Sequence, residues 1–275
     1  MADPALAHVE PGAASRGTVG RQERAIYPVL FRIGEFEVTS FGVLVAIAAL
    51  VGIWLFQREL RRSGLPDSAV DTGMAGVIGG LAGAKLVWAI EHAGDEAFLA
   101  LLFARGGVSW FGGLAGGLVA GFVLLRRRRL PIVAVLAAAT PALAVGHAIG
   151  RVGCFLVGDD YGLPSTLPWA VAFPEGLPPT TVPVHPTQLY EVAALLLTTG
   201  LLLRWRRAHR PDRFVLGAYL AATGSARFAI EFWRVRESLF GPLAIAHVFS
   251  FAAVCVGLAL LYSRHRSAGR SAVRE

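Results

Sequence analysis

The chain has 275 residues, 55% of them hydrophobic and 16% charged, with two cysteines and a net charge of +7. Soluble domains carry about 25% charged residues, so lipid is the expected solvent; the apolar content excludes a disordered chain and the two cysteines exclude a disulfide scaffold. All but one of the 26 basic residues are arginine, the exception being Lys85, and they fall in short bursts between apolar runs rather than on a polar face, which excludes a nucleic-acid partner.

Residues 1–27 are polar, rich in Ala and Gly and without an apolar core, so they are expected to form a disordered tail and no signal peptide. Seven stretches then approach the roughly 20 apolar residues that a membrane helix needs. They cover 39–58, 70–91, 107–125, 131–150, 187–204, 214–233 and 243–262. The predicted fold class is an all-α integral membrane protein of seven transmembrane helices within a domain spanning 28–264. The second and third stretches are dense in glycine (Gly73, Gly76, Gly79, Gly80 and Gly83; Gly112, Gly113, Gly116, Gly117 and Gly121), which suits close helix packing in lipid.

Arginines follow the first, third, fifth and seventh stretches (Arg58, Arg61 and Arg62; Arg126 to Arg129; Arg204 to Arg213; Arg264 to Arg274). The intervening loops hold far fewer cations and several acids, among them Glu91, Asp95, Glu96, Asp159, Asp160 and Glu175. Because cytoplasmic loops collect cations, this alternation puts the N-terminus outside and the C-terminus, with a basic tail over 265–275, in the cytoplasm. Four arginines up to residue 32 weigh mildly against that orientation, and the alternation across the seven stretches outweighs them. The Pro- and Gly-rich segment 151–186 reads as a small extracytoplasmic cap with one or two strands around Trp169–Phe173. Cys154 and Cys255 fall on different stretches and read as small buried apolar residues.

Charges inside a span cost about 2.5–3.5 kcal/mol each, so every one asks for a reason. Lys85 is either a cation snorkelling to the outer interface or a phosphate contact. Arg227, Glu231 and Arg234 share one helix face, either as a self-neutralising pair or as a cationic site completed by an anionic headgroup. His147 and Arg151 also share a face, with Gly146, Gly150 and Gly153 leaving room for a bulky neighbour. His147 is either a hydrogen-bonded structural histidine or a proton acceptor. In the run His185-Pro186-Thr187-Gln188-Leu189-Tyr190-Glu191, Pro186, Thr187 and Gln188 suit a helix start and Tyr190 an aromatic belt, whereas His185 and Glu191 serve neither purpose. A cationic cluster facing a cap in the outer half of a membrane suits an anionic phospholipid.

These motifs resemble those of the prolipoprotein diacylglyceryl transferases. Gly150-Arg151-Val152-Gly153-Cys154-Phe155 with Gly158-Asp159 is similar to that family's signature, as are 185–191, Arg227 to Arg234 and the Gly-Gly-x-Ser-x-x-Gly-Gly-Leu segment at 106–114. The resemblance implies an enzyme of the bacterial inner membrane that moves diacylglycerol from phosphatidylglycerol to the lipobox cysteine of a prolipoprotein signal peptide, releasing glycerol-1-phosphate. It implies no cofactor and no metal. Arg151 matches the phospholipid-contacting arginine, Arg227 a second site arginine, and Lys85 a position that is often arginine in the family. Asp159, His185, Gln188, Tyr190, Glu191, Glu231 and Arg234 are expected to bind substrate. The chain departs from the pattern at Phe111, where the family has a histidine, and at Cys154, Val157, Asp159 and Thr223. His147, one turn before Arg151, is the expected replacement base. A phospholipid-using enzyme with another acceptor, or a non-catalytic lipid-binding relative, would share much of this pattern.

Overall fold

A computed structural model describes residues 29–34, 36–94, 98–103, 107, 109–235 and 244–272. The predicted N-terminal tail up to residue 27 lies outside these residues, as do Asp95, Glu96, Gly106 and Val108 of the loops and motif above. A hairpin of β1 (Val29–Ile33) and β2 (Phe36–Thr39) leads into α1 (Ser40–Arg62), whose first turn is capped by the Thr39 hydroxyl accepting from the Gly42 amide. A 3-10 turn precedes α2 (Val70–Glu91), and the short α3 (Phe98–Phe103) precedes α4 (Trp110–Arg127) and α5 (Ile132–Val157). Strands β3 (Val171–Phe173) and β4 (Thr180–Val184) separate α5 from α6 (Thr187–Arg207), α7 (Asp212–Glu231) and α8 (Ile245–Ala272).

A long helix overlaps each of the seven predicted stretches. Among the described residues four helices are long and apolar enough to cross a membrane: Ser40–Arg62, Asp67–Glu91, Ile132–Val157 and Ile245–Ser263. The remaining three carry more charge or fewer large apolar residues. Helix α6 holds Glu191, Arg204, Arg206 and Arg207, α7 holds Asp212, Arg213, Arg227 and Glu231, and glycine dilutes α4. Leu50, Ile78, Leu81, Leu118, Val119, Leu197 and Phe251 all turn outward with more than half of their surface free, which is the surface of a protein whose surroundings are lipid.

Boundaries shift where local chemistry overrides periodicity. Helix α5 runs two turns past the predicted edge at 150, so Arg151 and Cys154 are helical, and it stops where Gly158 adopts φ 74°. Helix α4 starts at Trp110 because Gly107 has φ 62° and Ser109 is extended. Helix α7 ends at Glu231, so Arg234 sits in the turn beyond it.

Helices α1, α5 and α6 pack side by side, with α7 against α5 and α6. Around them are two arms. Helices α2 and α4 form one through the predicted glycine contact: a Cβ at Gly83 would lie 2.4 Å from the Gly112 carbonyl oxygen, and one at Gly79 equally close to the Ala120 Cβ. Helix α8, on α7, forms the other, and the half-exposed rings of Phe111 on α4 and Phe249 on α8 meet at 6.3 Å. Leu55, Phe56, Leu60, Leu125, Val135 and Ala142 make the main apolar core at the end of the molecule away from the β3–β4 segment.

The segment from Gly158 to Pro186 is built around Phe173, which stacks on Tyr161 and meets Phe155 edge-on. The expected strand near Trp169–Phe173 is Val171–Phe173, paired antiparallel with β4, while Trp169 lies in the preceding turn. Gly162 allows this segment to touch the turn after α7, since a Cβ there would lie 2.3 Å from the Trp233 carbonyl oxygen. The Leu163 amide donates to that oxygen at 2.7 Å.

Candidate functional site

Thr187 and Gln188 open α6, where capping by their side chains is the simplest expectation. Neither caps: Pro186 occupies the cap position without a side-chain hydrogen bond. The Thr187 hydroxyl donates to the Asp160 carbonyl oxygen at 3.0 Å and the Gln188 amide to the Asp159 carbonyl oxygen at 2.5 Å. Both side chains are fully buried. Each such bond contributes about 0.5–1.5 kcal/mol, and together they fix the residues after α5 over the start of α6. Gln188 therefore holds the frame of the site through its amide.

One turn into α6, Glu191 is the hub. Its carboxylate takes Arg151 Nε of α5 at 2.7 Å, Arg227 Nη1 of α7 in a shorter contact, and Arg234 Nη1 at 3.6 Å. Glu231 pairs with Arg227 Nη2 at 2.8 Å and with Arg234 Nε at 3.7 Å. Asp160 closes the ring from outside, with Oδ2 on Arg151 Nη1 at 2.8 Å and Oδ1 on Arg234 Nη2 at 2.6 Å. His147, one turn before Arg151, has Nε2 3.8 Å from Glu191 Oε2. That is too long for a hydrogen bond, yet close enough for the carboxylate to stabilise charge acquired by the imidazole.

Arg227, Glu231 and Arg234 do converge, although Arg234 has left the helix. The expected positive excess is absent, because Glu191 and Asp160 join Glu231 and bring three carboxylates against three guanidiniums. Asp160 was not among the expected site residues; the only sequence signal for it is its place directly after Asp159 in the signature segment. Burial works to raise the Asp160 carboxyl, and the guanidiniums of Arg234 and Arg151 outweigh it, holding the group below the usual carboxylate range. Burial pushes the Asp159 carboxyl up, the nearby Asp160 adds to this, and the Cys154 thiol and the guanidiniums of Arg151 and Arg234 oppose it. Cys154 Sγ, Asp159 and Asp160 gather their ligand atoms within 4.8 Å of one another. The two guanidiniums on Asp160 already take the negative charge that a cation would need there.

Arg151 is 93% buried, judged from its 7% exposure, and its Nη2 has no hydrogen-bond partner among the described residues. A buried guanidinium donor left open beside a half-exposed histidine is a place for an anion. An apolar crevice of about 750 Å³ runs between α1, α2, α4 and α5, with Gly146 and His147, one turn before Arg151, at one end and Phe56 and Leu125 at the other. Gly150 faces open space, as expected, whereas Gly153 packs on Phe41 of α1 and leaves no room.

The remaining expected residues lie apart from the ring. The Lys85 ammonium donates to the Gly107 carbonyl oxygen at 3.3 Å and sits 4.5 Å from the Trp88 ring centroid; these contacts belong to the α2–α4 arm. Tyr190 joins a different group, its hydroxyl accepting from Trp169 Nε1 at 2.8 Å and lying 3.1 Å from His185 Nδ1. His185, Tyr190, Trp169 and Trp233 line a second, apolar hollow of about 490 Å³ between α6 and α7. Both cysteines carry free thiols; Cys154 is half-buried, and Cys255 is exposed rather than buried because its face of α8 has no helix partner among the described residues.

The family model for prolipoprotein diacylglyceryl transferases matches residues 28–263. The chain belongs to the prolipoprotein diacylglyceryl transferase family. A phosphatidylglycerol–prolipoprotein diacylglyceryl transferase of Geobacter sulfurreducens is 31% identical over 260 residues, covering 88% of this chain and 97% of that one. The enzymes of the same name from a Nostoc species and from Vibrio cholerae are each 32% identical, covering 87% and 86% of this chain and 90% of their own lengths. The transferase family thus accounts for the arginine signature of α5 and for the run that opens α6, the two sequence elements that meet at Glu191 and Arg151.

Proposed function

We propose that this protein transfers the diacylglyceryl group of phosphatidylglycerol to the cysteine thiol of a prolipoprotein signal peptide, and that the ring around Glu191 is where it does so. The observation that carries this reading is the open Arg151 Nη2, one helix turn from His147, which lines the end of an apolar crevice. A lipid whose acyl chains lie in the crevice brings its glycerol to His147 and its phosphate to Arg151, with Arg227 and Arg234 of the same ring around it. His147 takes the thiol proton. The sulfur then attacks the diacylglycerol carbon that bears the phosphate, that carbon's C–O bond breaks with its electron pair going to oxygen, and glycerol-1-phosphate leaves as a thioether forms. Guanidiniums beside the departing oxygen stabilise the charge that develops on it. Phe111 performs no proton transfer; its ring meets Phe249.

The alternating arginines and the seven long helices support a multi-pass protein of the bacterial inner membrane with its N-terminus outside and the Gly158–Pro186 segment as an extracytoplasmic cap. The test is purified protein in phosphatidylglycerol micelles with a lipobox peptide, analysed by mass spectrometry. A peptide heavier by one diacylglyceryl unit, with glycerol phosphate released, is the expected result. No modified peptide, from protein that still binds the lipid, would refute transfer to this acceptor.

A further inference from the structure

The three carboxylates of the ring are not alike. Glu191 and Glu231 have side chains about 5% and 6% exposed, enclosed by helices, whereas Asp160 is 48% exposed at the mouth. Its two oxygens grip different guanidiniums, Arg151 Nη1 and Arg234 Nη2, as two oxygens of a phosphate would. Its backbone is pinned, with the carbonyl oxygen held by Thr187 and φ at 59°, so the side chain alone can leave. We propose that Asp160 is a tethered stand-in for the lipid phosphate, occupying the anion site in the resting enzyme and yielding it to substrate. This inference rests on the ring binding the phosphatidylglycerol headgroup.

Charge supports the exchange. A phosphodiester carries one negative charge, as a carboxylate does, so the swap leaves three guanidiniums facing three negative charges and no net charge buried at either stage. The leaving glycerol phosphate is a monoester carrying about −1.5 to −2 charges near pH 7, and it would otherwise stay bound. A tethered carboxylate competes with it at high effective concentration and favours release. The cost is apparent affinity, which falls by the fraction of time the site stands open.

Asp160→Asn and Asp160→Gly both tolerate a positive φ, so either tests the idea without disturbing the backbone. With purified full-length protein, the expected result is a Kd for glycerol-1-phosphate and a KM for phosphatidylglycerol that each fall about tenfold, the gain when a site closed about nine-tenths of the time is freed. Product inhibition should strengthen in step. Unchanged or weaker binding in both variants would overturn the proposal and leave Asp160 as a brace for the guanidiniums. Arg151→Ala separates this from failure of the ring reading itself. If that variant binds both compounds like the native protein, the ring is not the anion site. If it loses them while the Asp160 variants do not tighten, only the stand-in fails.

Discussion

Two buried ion networks lie at opposite ends of the helices. Away from the cap, Glu59 of α1 takes Arg206 Nε of α6 at 2.8 Å and Arg62 Nη1 at 3.2 Å, with Ser63 and Asp212 completing the contacts of Arg206. Glu59 and Arg206 are almost fully enclosed, and no buried atom of either lacks a partner among the described residues. Around Glu191 the same chemistry is left incomplete: Arg151 Nη2 is open, His147 is half-exposed and Asp160 faces outward. A network that only ties helices together satisfies its donors. The ring proposed to handle an anion keeps one donor of Arg151 open and an exposed acid on the donor beside it.

Mutations can break that contrast. Arg151→Ala should lower transfer by about 10³-fold, the scale of losing a preorganised donor, while Glu191 keeps Arg227 and Arg234 and the protein remains folded. Activity and size-exclusion profile read in parallel check this, and normal activity would remove Arg151 from the site. Glu59→Ala should do the reverse. Leaving Arg206 buried without its acid costs about 3 kcal/mol or more of stability, measured by thermal unfolding, with the KM of the surviving enzyme unchanged. Replacing Glu59 and Arg206 together by methionine should restore most of that stability, an outcome unavailable to Arg151 and Glu191, whose joint replacement stays inactive.

Smaller effects sharpen the picture. His147→Asn should reduce kcat about 10²-fold with little change in lipid binding, as loss of a proton acceptor does; equal turnover would point to thiol ionisation by the surrounding field alone. Thr187→Val removes the tie to Asp160 and should cost about 1 kcal/mol of stability. Asp160 supplies a pH signature. Its carboxyl is held below the ordinary value, so its stabilising ion pairs are fully present above the unfolded pKa of about 3.9 and lost as pH falls through the lower folded value. Asp160→Asn should therefore destabilise the ligand-free protein at neutral pH, with the gap to native protein closing in acid. A gap that is flat with pH would contradict the pairing.

Much of this was legible in the residues. The seven apolar stretches, the glycine seam of α2 and α4, and the shared faces of Arg227 with Glu231 and of His147 with Arg151 follow from period and spacing, while the meeting of Arg151 with Arg227 was implied by the family resemblance alone. What escaped depends on contacts between distant segments. Thr187 and Gln188 look like capping residues until the Asp159 and Asp160 carbonyls arrive above them. Asp160 looks like one more loop acid until Arg234 leaves its helix to meet it. Lys85 reads as either a snorkelling cation or a phosphate contact because sequence gives its depth in the membrane and not its azimuth; its ammonium reaches the Gly107 carbonyl oxygen and the Trp88 ring.

Every cation in the ring around Glu191 is an arginine. A guanidinium keeps its charge at any alkalinity a membrane protein survives, so the proposed anion site has no basic limit of its own. Loss of activity as the medium turns alkaline is then not expected from these cations, and the peptide gains there, because its cysteine becomes a thiolate.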